Sequence, residues 1–144
     1  MALIHSPTPG GEVVQASRAD STLDTRQRGA FGMSRKETNR PNAMVPANTL
    51  HAAHARITAI GFALTALTIG VERGFLTRAE AIERTLTTLR FLRESEQSEA
   101  PDATGFRGFY YHFMHMDSGR RAWECELSTT DSRCLHVGAL TAGA

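Results

Sequence analysis

Apolar residues fall into helical register over two stretches of this chain. Ile57, Ile60, Leu64, Leu67 and Val71 recur at steps of three and four, which is one face of a helix. Phe62 and Ile69 lie off that face and are also apolar, so a helix over 57–71 needs neighbours on most sides. Gly74 ends it as a left-handed cap. In "TRAE", Thr77 and Glu80 have the spacing of a capping box and open the next helix. That helix gathers Ala79, Ile82, Leu86, Leu89 and Leu92 on one side, with Arg78, Glu83, Arg84 and Arg90 elsewhere. The pair is expected to form an antiparallel αα-hairpin, its first helix inner in character and its second outer.

Upstream the signals weaken. A first helix is expected from Ser21 to Arg35, with Leu23 and Phe31 as its apolar contacts, and "KETNRPNAMVPANTL" is a loop. Residues 1–19 are rich in Pro, Gly and Ser without a period and read as a disordered tail, leaving 20–144 as the folded unit. Downstream, "RESEQSEAPDATG" is a polar linker or surface loop. "FRGFYYHF" and "RRAWECEL" flank "MHMDSG", whose Asp-Ser-Gly is turn chemistry, so a short β-hairpin is expected. Ser128 then serves as N-cap of a fourth helix, with Asp131 at its third position.

Composition narrows the function classes. The 144 residues carry a formal net charge of +1, with no basic cluster large enough to track a phosphate backbone, which argues against nucleic acid as a partner. Cys125 and Cys134 make no disulfide framework and read as free, mostly buried thiols. The N-terminus lacks the basic and apolar regions of a secretory signal, so the expectation is a cytoplasmic chain. The apolar run 57–71, free of charged residues, is 15 residues, short of the roughly 20 that span a bilayer.

The segment 105–131, "GFRGFYYHFMHMDSGRRAWECELSTTD", concentrates aromatic residues, His112, His115, arginines and the carboxylates Asp117, Glu124, Glu126 and Asp131. It resembles the signature of the bacterial glycoamylase-like domain family, which includes β-1,2-glucan hydrolases and the C-terminal region of cyclic β-1,2-glucan synthases. "ITAIGFALTALTIGVERGFLTRAEAIERTLTTLRFL" and "NAMVPANTL" resemble the segments that precede that signature, in the same order. The resemblance covers about residues 21–140 and implies part of an (α/α)6 toroid, six inner helices around a substrate cleft and six outer. Twelve helices with their connections need roughly 190 residues at the least. The expectation is therefore a mainly α chain, the opening third of a truncated toroid, with an αα-hairpin and a short β-hairpin. The sequence departs from the family pattern at Ala47 and Asn48, and at Arg133 and His136 in the fourth helix.

Glycoside hydrolysis normally uses two carboxyl groups across the scissile bond. Glu126 stands where the hairpin ends and the helix begins, a place from which a side chain reaches a cleft. The resemblance puts "WxxELSTxD" on the active-site side and makes Glu126 the catalytic candidate. Asp131 also reads as a helix cap and Asp117 as a turn residue, and both are candidates for substrate contact. Trp123 and Tyr111 are the aromatic candidates for stacking on a sugar, and Arg121 a donor to its hydroxyls. His112, His115 and Asp117 would gather round a metal on a helix but scatter along a strand, so neither metal nor cofactor is expected. His51 and His54 sit on an expected helix start. The partner implied by the resemblance is a β-linked glucan. The chain alone is expected to be inactive or a binding module, with self-association through an exposed apolar helix face.

Overall fold

The computed structural model describes residues 18–46 and 54–144. They form four helices and two small sheets: α1 (Arg18–Glu37), β1 (His54–Arg56), α2 (Ile57–Glu72), α3 (Arg78–Glu94), β2 (Gly105–Phe106), β3 (Phe109–Tyr111), β4 (Phe113–His115), β5 (Leu127–Ser128) and α4 (Thr129–Gly143). The expected tail over residues 1–19 lies outside the described residues, except that Arg18 and Ala19 already belong to α1. Residues 47–53, with Ala47, Asn48 and His51, lie outside them too.

Local chemistry sets the α2–α3 turn. Gly74, at a φ of 67°, donates its N–H to Val71 O, and Phe75 donates to Gly70 O, the paired bonds of a left-handed helix end. Thr77 Oγ1 accepts from the Glu80 N–H at 3.2 Å while Glu80 Oε2 accepts from the Thr77 N–H at 2.9 Å, the expected capping box. Ser128 likewise accepts from the Asp131 N–H at 3.2 Å and caps α4.

The core gathers Met44, Ala55, Ile57, Ile60, Leu64, Leu92, Met114, Met116 and Leu135. In α2 the expected face is the buried one at Ile57, Ile60 and Leu64, but Phe62 and Ile69 are exposed. α3 is turned from its expected orientation: Ala81, Thr85, Thr88 and Leu92 are buried, while Ile82 and Leu86 are exposed. The reason is the loop after α1, which α3 covers. Thr88 Oγ1 donates towards Ala43 O at 3.3 Å and Arg84 O at 3.1 Å, so a threonine hydroxyl is satisfied inside. In α1, Phe31 packs on Phe75 with centroids 5.7 Å apart, as expected, but Leu23 is exposed.

α2 packs most closely on α4. Gly61 lies against the backbone of Cys134 and Leu135, and Gly138 against Gly61. Farther along, Leu67 and Val71 share a depression with Thr141 and Ala142. The contact advances along both helices together, so α2 and α4 run parallel and α3 returns antiparallel to α2.

The hairpin departs from expectation. "FRGFYYHF" is not one strand: Arg107 and Gly108, at φ 51° and 84°, turn the chain so that Phe106 pairs with Phe109. Positive φ at both central residues is the tight hairpin turn whose twist matches its strands. β3 then pairs with β5 in the three-stranded order β2-β3-β5, and β4 pairs instead with β1. The 116–119 turn is closed as expected, with His115 N–H donated to Arg120 O and Ala122 N–H to Phe113 O. Beyond Ala122 the returning strand bulges out at Trp123 and Glu124 before rejoining at β5.

Candidate functional site

β1 and β4 pair with His54 opposite His115 and Arg56 opposite Phe113. His54 is thus in a strand rather than on a helix start. Its ring lies 5.0 Å from that of His115 and stacks on Trp123 at 4.2 Å with an interplanar angle of 29°. Phe113 meets Trp123 edge-on at 5.2 Å. Trp123 is held in the bulge at a φ of 54°, a left-handed backbone that few large residues adopt, and it remains 62% exposed. The thiol of Cys125 closes the bulge by accepting the Phe113 N–H at 3.3 Å.

Next to this aromatic patch is a polar knot around His112. Its ring lies 4.3 Å from that of Phe113. Its Nδ1 stands 3.2 Å from Glu126 Oε1 and 3.0 Å from Asp131 Oδ2. On the other side, Arg56 donates Nε–H to His112 Nε2 at 2.9 Å while its guanidinium lies over Phe113. The Glu126 side chain is 72% exposed and the Asp131 side chain 14%. One carboxylate therefore faces solvent and the other stands behind it.

The other candidates are engaged elsewhere. Arg121 lies over the Tyr111 ring at 4.3 Å and donates Nε–H to Cys125 O at 2.7 Å and Nη1–H to Pro101 O at 3.3 Å, so much of its donor capacity goes to the protein's own carbonyls. Asp117 occupies the 116–119 turn, where the Ser118 N–H donated to Oδ1 at 2.7 Å holds its carboxyl below the usual carboxylate range. The structure thus joins Glu126 and Asp131 in one cluster and links them to Trp123 through His112 and Phe113. Tyr111 with Arg121 makes a separate stack, and Asp117 stands apart in its turn.

His112, Arg56 and His54 are the members of this site that sequence reasoning did not place there. Arg56 and His112 are 56 positions apart, and nothing in local spacing joins them. The one available signal was "ELSTTD", which places Glu126 and Asp131 either side of a helix cap and leaves their common donor unidentified.

No protein-family model and no curated protein sequence matches the chain. Solved structures do. The chain shares its fold with β-1,2-glucanases. The β-1,2-glucanase of Parabacteroides distasonis superposes with a TM-score of 0.72 at 22% identity over 85% of this chain and 17% of its own. An endo-β-1,2-glucanase from Chitinophaga pinensis, solved with sophorotriose and glucose, gives 0.70 at 18% identity over 85% of this chain and 30% of its own. A provisionally assigned glucoamylase from Bacteroides uniformis gives 0.67 at 23% identity, over 86% and 30%. The chain therefore spans less than a third of these glucanase-fold proteins. The likeness agrees with the resemblance read from residues 105–131. Among the described residues no helix is long and apolar enough to cross a membrane.

Proposed function

We propose that the chain forms one wall of a carbohydrate cleft in a glycoside hydrolase-like domain acting on β-linked glucan. In this reading α2 and α4 are successive inner helices of an (α/α)6 toroid and α3 the outer helix between them, an arrangement supported by the parallel run of α2 and α4. The observation that carries the proposal is the solvent-facing Glu126 carboxylate beside an exposed Trp123. A sugar presents an apolar C–H face and a rim of hydroxyls. The indole supplies the flat surface and the carboxylates accept from the hydroxyls.

Hydrolysis asks for more. Glu126 can act as an acid or base, but a second carboxyl must stand across the scissile bond. Asp131 does not fill that place, because both carboxylates reach the same imidazole nitrogen and leave no gap for a sugar between them. The chain on its own is therefore assigned binding without turnover, and catalysis would need a carboxyl from elsewhere in a complete ring. A binding module that never catalyses is the second reading, and the same exposed platform favours it.

Trp123 is the chain's single tryptophan, so its fluorescence reports on the site alone. Titration of the full chain with sophorotriose should shift its emission saturably, and Glu126→Gln should weaken that response. No shift with sophorotriose, or an equal shift with an unrelated α-linked glucan, counts against the proposal. Sugar release from a β-1,2-glucan by pure protein, abolished in Glu126→Gln, would show that the chain is catalytic by itself.

A further inference from the structure

His112 is bound on every side that has a polar atom. Its main-chain N–H is donated to Glu126 O at 3.0 Å, and its carbonyl accepts from the Ile57 N–H at 3.3 Å, where α2 begins. Its side chain then meets Glu126 a second time at the carboxylate. An imidazole nitrogen that accepts a hydrogen bond carries no proton. With Nε2 accepting from Arg56, neutral His112 therefore holds its proton on Nδ1, where the two carboxylate oxygens stand.

We infer that His112 is the positioning residue of this site: Arg56 selects its tautomer, and the Nδ1–H so fixed holds the Glu126 carboxylate toward the ligand. Asp131 is the second acceptor for the same proton. Its Oδ2 is buried and takes no well-aligned hydrogen bond from the protein, although Nδ1 is only 3.0 Å away. One N–H cannot serve two oxygens at full strength. A sugar hydroxyl can donate to a free lone pair of the Glu126 carboxylate while the Nδ1–H stays between the two carboxylates, so the exposed acceptor keeps its orientation when the ligand binds. The ligand's part in this rests on the carbohydrate reading above; the tautomer does not.

Two measurements on the full chain separate these claims. Nitrogen-15 shifts of the neutral His112 ring should show a protonated Nδ1 and an unprotonated Nε2. Arg56→Met should mix the tautomers, and Glu126→Gln should move the Nδ1 proton resonance. A wild-type ring protonated at Nε2, or an Nδ1 proton indifferent to Glu126→Gln, overturns the inference. The second measurement compares His112→Asn with His112→Gln in sophorotriose binding. The Asn amide nitrogen stands where Nδ1 was, and the Gln amide nitrogen where Nε2 was. Affinity should hold within about threefold in the Asn variant and fall about tenfold in the Gln variant, as expected for one hydrogen bond to a charged group. A ring that only fills space predicts the reverse order, since Gln is larger, and that result would also sink the positioning role. If wild-type protein shows the Nδ1 tautomer and its contact with Glu126 but binds no sophorotriose, the sugar reading fails and the Arg56–His112–Glu126 assignment stands.

Discussion

Gly61 and Gly138 meet backbone to backbone where α2 crosses α4. A Cβ on Gly138 would run into the Gly61 carbonyl oxygen, and one on Gly61 into the carbonyl of Cys134. On an open helix face, Gly→Ala gains about 1 kcal/mol from the lower entropy of the unfolded chain. Here the added methyl must push the helices away from each other, and overpacking of this kind costs about 1–3 kcal/mol or more. Gly138→Ala is thus expected to lower stability in a urea melt. A gain in stability would show that the helices do not cross at these residues.

The turn at Arg107 offers the opposite sign. A left-handed backbone costs an ordinary L-residue about 1–2 kcal/mol. Its exposed guanidinium returns at most about 0.5–1 kcal/mol by lying over the Phe106 ring, 5.0 Å away. Arg107→Asn makes the favoured Asn-Gly pair for this turn and should raise the thermal midpoint by a few degrees. An unchanged or lower midpoint would mean that the turn is not strained.

Tyr110 gives the structure a limit at high pH. Burial pushes its phenol up from the ordinary tyrosine value, and its O–H is donated to Leu92 O at 3.3 Å. A raised folded pKa means that the folded state favours the protonated phenol. That contribution is complete below the unfolded value of about 10 and is lost as pH rises through the folded one. Wild-type stability should therefore fall above about pH 10. Tyr110→Phe should remove this share of the decline while costing about 1 kcal/mol at neutral pH through the lost hydrogen bond. Equal alkaline slopes in the two proteins would assign the decline to other groups.

Several apolar side chains stand in water. Phe62 and Ile69 on α2 and Val137 and Leu140 on α4 are more than half exposed, Leu140 the most at 76%. Exposed apolar side chains on two neighbouring helices favour association. Sedimentation velocity should show a mass that grows with concentration, and Val137→Glu with Leu140→Glu should reduce it to the monomer without lowering the melting temperature. A wild-type chain that stays monomeric at high concentration would remove this expectation.

The readable features of this fold were those fixed by neighbours in sequence. Gly74 and the Thr77–Glu80 box close their own hydrogen bonds within a few residues, and both ends stand where the sequence put them. The buried face of α2 follows from Ile57, Ile60 and Leu64, whose spacing admits one helical side. α3 was less legible because its interior includes Thr85 and Thr88, polar by composition, the latter satisfied by the carbonyls of Arg84 and Ala43, while Ile82 and Leu86 stay outside. The turn at Arg107–Gly108 interrupts a run whose aromatic residues all favour a strand, and only the glycine marked it. In the candidate site, Glu126 and Asp131 were visible as carboxylates round a cap. Their shared donor was not, because the pairing of β1 with β4 brings Arg56 to His112 across two helices and a loop.

The parallel run of α2 and α4 also gives this end of the molecule a sign. Each helix carries roughly half a positive charge at its N-terminus, and two antiparallel helices would largely cancel one another's field. Here both positive ends point the same way. Arg56 immediately precedes α2, and Glu126 and Asp131 flank the cap of α4, so the carboxylates lie where the two backbone fields add. The chain holds Glu126 at its exposed edge with Asp131 behind it, and its main chain adds to the countercharge that Arg56 supplies through His112.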